Sequence, residues 1–533
     1  MFDAVVIGGG HNGLVCAAYL AEGGLSTCVL ERRAIVGGTA VTEEFHPGFR
    51  NSTASYTVSL LQPKVVRDLR LVEHGLRIVP RPLANFLPFS NERGDCLSIG
   101  GSLAATQNEV ARFSKRDAET LPSYYAMLER LASVVRELML VTPPAIEGGL
   151  SAALDWWKAS KRFRALNALG KRELFDIVTR SAGDVLDRWF ESAPIKAALG
   201  FDAVVGHFAS PYSLGSAYSL LHYALGGIDV NPGQWGHALG GMGAITQAMA
   251  RECGVRGVTI RTSSPVAEII VEQGRAQGVE LESGERVHAR IVVANVNPKL
   301  LFGSMVAREH VPAQFADRIA AYRCESGTFR MNVALAAVPD FVALPGDGVH
   351  LRSGIVIAPS LDYMERAYFD AKTSGWSRAP IIEMLIPSLV DPSLAPRGQH
   401  VASLFCQHVH PDLSAVRPGE TWDDAREHVA NLMIDTVNAF APNFRANVIA
   451  HRALSPLDLE REFGLVGGDI SHGAMTLDQL FSARPLLGHA SYRMPVRGLY
   501  LCGAGAHPGG GVSGAPGHNA AREILRDAKR RGR

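Results

Sequence analysis

The fold of this chain is decided by residues 2–13, which read FDAVVIGGGHNG. The apolar run Phe2–Ile7 contains β-branched residues and predicts a buried strand, and it passes directly into a G-x-G-x-x-G turn. A helical stretch from Leu14 to Glu22 follows, and then a second strand, Ser26–Leu30, that ends at Glu31. Strand, glycine turn, helix, strand and acid in this order make up a dinucleotide-binding unit.

Each glycine of the turn has a physical task. Gly8 lets the chain turn tightly off the strand, Gly10 lets a pyrophosphate approach the backbone, and Gly13 lets the helix lie close to the sheet. The helix N-terminus directs free N–H groups and a partial positive charge at the phosphates. Glu31 stands where a carboxylate accepts hydrogen bonds from ribose hydroxyls. These residues predict a bound dinucleotide, and a glycine-rich turn without a ligand is the alternative.

The residues after Glu31 indicate which dinucleotide is bound. Residues 32–39 read RRAIVGGT and resemble the second glycine motif of the flavoprotein superfamily that includes amine oxidases, glutathione-reductase-like enzymes and carotenoid desaturases. In that superfamily the unit at the start of the chain binds FAD, and the Gly-Gly turn passes near the flavin diphosphate. The resemblance therefore implies FAD rather than NAD.

A second glycine-rich signature lies near the end of the chain. A strand over Gly498–Cys502 leads into residues 503–519, GAGAHPGGGVSGAPGHN, and a helix is predicted from Ala520. This stretch resembles the closing motif of bacterial phytoene desaturases and carotenoid isomerases, FAD oxidoreductases in which it closes over the cofactor. The closer resemblance is to the branch called pyridine nucleotide-disulfide oxidoreductase domain-containing protein 2, and it spans almost the whole chain.

The resemblance implies an α/β fold with a Rossmann-type FAD-binding domain, like that of glutathione reductase and amine oxidases, and an inserted α+β substrate domain. We assign residues 1–63, 231–299 and 491–533 to the FAD-binding domain and residues 64–230 and 300–490 to the substrate or cap domain. The predicted cofactor-binding residues are Gly8, Gly10, His11, Asn12, Gly13, Glu31, Arg32, Gly37, Gly38, Thr39, Val266, Ala294, Gly503, Ala504, Gly511 and Val512.

Composition and cysteine spacing exclude several classes of protein. The 533 residues include 53 basic and 52 acidic side chains, so no nucleic-acid surface is expected. None of the seven cysteines forms a C-x-x-C pair, which argues against a flavin disulfide reductase and a zinc site. His408 and His410 have no third ligand nearby, so no metal is predicted. A second strand–glycine–helix unit for NAD(P)H is also missing from the middle of the sequence.

Location and surface contacts are read from apolar patterning. There is no apolar run near about 20 residues, and the first strand begins at once, which leaves no room for a presequence and favours a cytoplasmic protein. The stretch Asp155–Lys158 places two tryptophans beside a lysine. It is consistent with a peripheral membrane contact or with a half-buried helix face. The oligomeric state is left open.

The inserted region also contains a candidate pocket wall. Residues 201–227 are rich in small and aromatic side chains, as suits an apolar pocket with a few polar points. His207 and His222 lie in this stretch and are expected to be packed or hydrogen-bonded rather than catalytic. One continuous helical pattern is predicted from Glu173 to Phe190.

The main functional hypothesis is an FAD-dependent oxidoreductase that dehydrogenates or desaturates an apolar, carotenoid-, retinoid- or lipid-like substrate by hydride transfer to the flavin. His507 and His472 are the candidate proton-transfer groups, because imidazole titrates near neutral pH. The alternative for both is that they only position the flavin or the backbone. A second hypothesis is a non-redox flavin-dependent isomerase, or a flavin-bound regulatory or partner protein with little turnover.

Overall fold

The computed structural model describes residues 1–144, 157, 160–228, 231–232 and 235–531. One seven-stranded sheet contains the N-terminal strand at its centre. Its neighbours run parallel to it, as buried apolar strands covered on both faces do. In spatial order the strands are Thr259–Arg261, Thr27–Leu30, Phe2–Ile7, Arg286–Ala294, Arg275–Leu281 and Val266–Glu272, with Leu499–Leu501 parallel to Arg286–Ala294.

The register of the parallel strands brings their carboxyl ends to one edge. Ile7 pairs with Leu30 on one side and with Ala294 on the other, and Ala294 pairs with Leu501. The residues that follow these strands, among them Gly8 and Glu31, therefore meet at the same edge. In open α/β sheets this edge is where ligands bind.

A second seven-stranded sheet lies between two apolar cores, as its alternating side chains predict. Val356 and Phe405 face a cluster of helices, whereas Ile355 and Cys406 face the long helix Trp422–Phe440. The strands in spatial order are Val448–Leu454, Phe329–Leu335, His400–Val409, Trp376–Leu385, Gly354–Ile357, Asn85–Pro88 and Cys96–Ile99.

Short strand pairs and helices complete the described structure. The pairs are Thr42–His46 with Phe49–Ser52, Ile78–Pro80 with Gly236–Ala238, and Gly227–Ile228 with Asn231–Pro232. The helices are His11–Glu22, Pro63–Asp68, Leu103–Val110, Lys115–Met139, Lys161–Ala165, Ala168–Thr179, Ala182–Trp189, Ala193–Val204, Ala217–Ala224, Gly243–Val255, Pro298–Leu300, Ala313–Ala320, Leu361–Ser374, Trp422–Phe440, Phe444–Asn447, Pro456–Phe463 and Ala515–Arg531.

The predicted α/β class with a Rossmann-type unit is confirmed, whereas one predicted helix is wrong. The pattern over 173–190 forms two helices that are separated at Arg180, whose backbone is extended. The hydroxyl of Ser181 accepts the N–H of Asp184 and so starts the second helix. The amphipathic period continues across this break, which is why the sequence pattern does not reveal it.

The division into two domains stays a prediction. Two stretches that it assigns to the cap pack in the core of the first sheet: one contributes Leu69 and Leu71, and the other contributes Phe302 and Phe315. Within the described residues, no helix is long and apolar enough to cross a membrane.

Replacing Gly13 with alanine is expected to destabilise the fold. A Cβ there would lie 2.2 Å from the Gly8 carbonyl oxygen and 2.9 Å from the Asn295 side-chain nitrogen, so backbone would have to move at a cost of about 1–3 kcal/mol. Gly254→Ala is the matched control, because its Cβ would meet nothing within 4 Å and alanine favours the helix by roughly 0.5–1 kcal/mol. Urea denaturation measures the free energy of unfolding of both variants. Equal values would contradict the close packing of Gly13 against the Gly8 carbonyl and Asn295.

Candidate FAD site

Two glycine turns form the floor of the site by packing backbone against backbone. Gly8 has a φ of +92°, and the Gly37 N–H donates to the Gly9 carbonyl at 2.9 Å. A Cβ at Gly38 would lie 3.2 Å from the Gly10 Cα. Side chains would separate the two turns, which explains why glycine recurs in both.

Glu31 ties the first turn to the second strand. Its Oε2 accepts the Gly9 N–H at 2.8 Å and its Oε1 accepts the Arg33 N–H at 2.9 Å. The side chain is buried, and the residue also lines a cavity above the sheet edge. Each carboxylate oxygen has a second lone pair, so Glu31 can hold the loop and still accept a ligand hydroxyl.

A cavity of about 400 Å³ opens at this sheet edge. The structure brings to its lining twelve of the predicted cofactor-binding residues: Gly8, Gly10, His11, Asn12, Glu31, Arg32, Gly38, Thr39, Val266, Ala504, Gly511 and Val512. The other four, Gly13, Gly37, Ala294 and Gly503, lie behind that lining, Gly13 in the helix His11–Glu22 and the others in the strand and turns that support it.

The sequence missed the segment that covers the cavity from the far side. Glu462, Phe463, Gly464 and Leu465 line it, although they are about 450 residues from the glycine turn. The Arg32 guanidinium donates to the carbonyl of Arg461 at 3.0 Å, and that of Arg33 lies 4.8 Å from the Phe463 ring centroid. No glycine or charge motif marks this segment, so only the folded chain could reveal it.

Unpartnered polar atoms in the cavity match a dinucleotide. Among the described residues, His11 Nε2, Asn12 Oδ1 and His472 Nδ1 are buried without a hydrogen-bond partner, which is costly unless a ligand supplies one. Gly10 caps the helix His11–Glu22 and has no side chain to occupy its first N–H groups. These residues fit FAD, with the diphosphate expected at the helix start.

His472 is the predicted catalytic residue that reaches this cavity. Its φ is +55°, an uncommon backbone conformation for a residue with a side chain. Burial, aided by the Arg484 cation, lowers the pKa of His472 to about 4, so the ring is neutral at pH 7. Arg484 is fully buried and donates to the carbonyls of Ser471 at 2.6 Å and Ala504 at 2.9 Å. It thereby fixes the His472 loop to the C-terminal glycine loop.

His507 lies outside the described lining of both this cavity and the one beside it. Its Nε2 pairs with the Leu138 carbonyl oxygen at 2.9 Å, and its own carbonyl accepts the Tyr492 hydroxyl at 3.0 Å. Burial lowers the pKa of His507 to about 4. This geometry favours positioning of the C-terminal loop over proton transfer.

An inner cavity of about 130 Å³ adjoins the first and shares lining residues with it. The shared residues are Thr39, Ser55, Ile470, Gly511 and Val512. Val205, Gly206, His207, Ser219 and His222 form one wall, which confirms the pocket wall predicted over 201–227. Burial lowers the pKa of both histidines to about 4.

A stacked aromatic pair also lines the inner cavity. The rings of Tyr56 and Phe405 are 5.3 Å apart, and the buried Arg330 guanidinium lies 4.6 Å from the Tyr56 ring. The Tyr56 hydroxyl donates to Glu383, which is paired with Arg81 at 3.2 Å. Tyr56 is thus held rigidly, and its charged neighbours stay behind the wall.

A glycine-floored cavity at the carboxyl edge of a parallel sheet, adjoined by a small inner cavity, fits an FAD-dependent oxidoreductase, and the family match establishes that class. Residues 13–314 match the model of the family described as flavin containing amine oxidoreductase, and the chain belongs to that family. All seven cysteines lie in the described part of the chain, and each is buried and free.

Curated relatives match the chain over nearly its full length. Pyridine nucleotide-disulfide oxidoreductase domain-containing protein 2 of Rattus norvegicus is 41% identical over 99% of this chain and 94% of its own. A limonene dehydrogenase polypeptide of Castellaniella defragrans is 25% identical, with 98% and 94% covered. The lycopene-forming phytoene desaturase of Pseudescherichia vulneris is 24% identical, with 96% of each chain covered.

Solved structures support the same fold. An oxidoreductase from Methanosarcina mazei superposes with a TM-score of 0.61 at 15% identity, covering 98% of this chain and 99% of the other. Putrescine oxidase bound to putrescine gives 0.61 at 14% identity, with 99% of both chains covered. At these identities the likeness concerns the fold alone.

Glu31→Gln is expected to weaken FAD binding about ten- to hundredfold. The carboxylate accepts hydrogen bonds from two backbone N–H groups, and in glutamine the amide nitrogen would face one of them. Glu285→Gln is the matched control, since that exposed carboxylate pairs with Arg261 at the surface. Titration of apoprotein with FAD measures both affinities. An unchanged affinity in Glu31→Gln would show that the carboxylate does not organise the site.

The apoprotein is expected to lose stability as the pH falls from about 6.5 towards 4. Burial lowers the pKa of five histidines to about 4, namely His11, His207, His222, His472 and His507. Unfolded histidines titrate near 6.5, so in this window the unfolded chain binds more protons and is favoured. Urea midpoints at several pH values test this, and a midpoint independent of pH would contradict it.

Proposed function

We propose that this FAD-dependent oxidoreductase dehydrogenates or desaturates an uncharged, apolar small molecule held in the inner cavity, with hydride transfer to FAD. One observation carries the proposal. Among the described residues that line the inner cavity, none has a charged side chain, and the lowered pKa values keep His207 and His222 neutral at pH 7.

An uncharged cavity selects against charged substrates. Burying an ammonium or carboxylate group without a counter-charge costs several kcal/mol, whereas apolar surface gains about 25 cal/mol for each Å² removed from water. A diammonium compound such as putrescine would therefore bind poorly. The chain shares its fold with putrescine oxidase, but a shared fold does not imply a shared substrate.

The names of two relatives support the same substrate class. Limonene dehydrogenase and phytoene desaturase are named after limonene and phytoene, and both compounds are uncharged hydrocarbons. These relatives are 25% and 24% identical to this chain. Their names therefore support the class of apolar substrates but do not specify one compound.

The residues of the chain have distinct tasks in the proposed reaction. FAD, when bound, supplies a two-electron acceptor for the hydride. Tyr56 and Phe405 shape one wall of the inner cavity and, with Val205, exclude water from it. His472 faces the FAD cavity as a neutral ring with an unpartnered Nδ1, and its neighbour Ser471 lines the inner cavity. It is therefore our candidate acceptor for the proton that leaves the neighbouring carbon. His507 keeps a positioning role.

Uncharged apolar compounds are expected to reduce the bound flavin, whereas diamines are not. Limonene, a carotenoid and a retinoid would be mixed without oxygen with purified protein, with putrescine as the charged comparison, and the loss of flavin absorption followed. Bleaching by putrescine alone would contradict the proposal. Conversion of an apolar compound to an isomer with no net oxidation would favour the isomerase hypothesis instead.

A further inference from the structure

Bulky apolar side chains are exposed together on two consecutive helices, Lys161–Ala165 and Ala168–Thr179, and on Trp157 just before them. We call this surface the 157–175 face. The exposed fractions are 61% for Trp157, 43% for Phe163, 58% for Leu169 and 66% for Phe175. Single exposed apolar residues are ordinary, but a group of this kind marks an interaction surface. Asp155, Trp156 and Lys158, whose sequence is consistent with a membrane contact, lie outside the described residues.

Cations alternate with the aromatic rings on this face. The Arg164 guanidinium lies 4.3 Å from the Trp157 ring centroid and donates to the Trp157 carbonyl at 2.9 Å. The Lys171 Nζ lies 6.0 Å from the Phe163 ring centroid. Arg172 is one turn before Phe175, on the same side of the helix.

The positive charge of the described part of the face is not neutralised by ion pairs. Across the described residues, Lys161, Arg164, Lys171 and Arg172 make no ion pair with a carboxylate. The nearby acids are already paired with other arginines, Glu173 with Arg130 at 2.5 Å and Asp176 with Arg180 at 2.7 Å. Unpaired cations beside exposed aromatic rings complement an anionic lipid surface, in which rings enter the headgroup region and cations meet phosphates.

The buried side of the helix Ala168–Thr179 packs towards the inner cavity. Leu174 and Ile177 contact the apolar core that contains Leu220 and Leu221 of the helix Ala217–Ala224. That helix also carries Ser219 and His222 in the wall of the inner cavity. The helix Ala168–Thr179 therefore backs the wall behind which an apolar substrate would sit, and it carries the exposed Leu169 and Phe175 of the 157–175 face.

We propose that the 157–175 face docks the protein on the surface of an anionic lipid bilayer. The aromatic rings supply apolar burial in the headgroup region, and Arg164 and Lys171 supply attraction to anionic headgroups. The inference does not require any particular substrate, so it stands or fails separately from the proposed reaction.

Vesicle sedimentation with the full-length, flavin-loaded protein tests the proposal. Vesicles of phosphatidylcholine alone are compared with vesicles that contain about three-tenths phosphatidylglycerol, at low and at high salt. The wild type is expected to sediment with the anionic vesicles at low salt, and binding is expected to weaken as the salt concentration rises.

Two double variants separate the contributions. Arg164→Gln with Lys171→Gln is expected to weaken binding about thirtyfold, at about 1 kcal/mol for each cation, and Trp157→Ser with Phe175→Ser is expected to abolish it. Phe369→Ser is the matched control, because that ring is 49% exposed on a different helix and should leave binding unchanged. Retained flavin absorption verifies that each variant is folded.

Three results would overturn the proposal. The first is that the wild type does not sediment with anionic vesicles at low salt. The second is that both double variants still bind these vesicles. The third is that vesicle binding is absent and the protein is a dimer in solution that the Trp157/Phe175 double substitution dissociates. The last result would instead assign the face to contact between copies of this chain.

Discussion

The close packing of the first glycine turn against Asn295 is the constraint on which the FAD site depends. The Asn295 side chain donates to the Gly8 carbonyl at 3.1 Å, and the space that a side chain of Gly13 would need is taken by the Gly8 carbonyl and the Asn295 amide. The strands Phe2–Ile7 and Arg286–Ala294 are therefore joined at their carboxyl ends by side-chain as well as ladder hydrogen bonds. Because both glycine turns and the C-terminal loop start from this edge, a shift here would displace the whole lining of the FAD cavity.

Charge is distributed so that the inner cavity stays neutral although ionised groups lie close by. Arg330 and the Arg81–Glu383 pair are buried behind the Tyr56 ring, and each charged group has hydrogen-bond partners of its own. Buried ion pairs contribute little to stability, but this one orients a cavity wall through the Tyr56 hydroxyl. An uncharged cavity next to a strongly polar dinucleotide cavity suits an enzyme whose cofactor is polar and whose substrate is apolar.

Local motifs could be predicted from the sequence because their chemistry is contained within a few residues. The glycine turn at residues 8–13, the acid at Glu31 and the Gly37–Gly38 turn all contribute to one site, as their spacing indicates. The pairing of Tyr56 with Glu383 spans 327 positions. The cover formed by residues 462–465 is still more remote, since the neighbouring contact of Arg32 with Arg461 spans 429 positions. Neither carries a motif, so both follow only from the tertiary fold.

The candidate histidines show where residue type is an insufficient guide. Imidazole ordinarily titrates near neutral pH, yet burial moves the pKa of His472 and of His507 to about 4. Their surroundings then distinguish them: His472 lines the FAD cavity, whereas His507 lines neither cavity and its Nε2 pairs with the Leu138 carbonyl. Sequence reasoning supplies the residue, but burial and partners decide its chemistry.

The absorption spectrum of the purified protein, recorded anaerobically before and after addition of NADH, is the decisive test of FAD binding. We expect flavin bands that survive gel filtration and that NADH does not bleach, because the proposed reaction takes its electrons from the organic substrate. A folded protein that shows no flavin bands even after addition of FAD would contradict the FAD site, and rapid bleaching by NADH would contradict the proposed source of electrons.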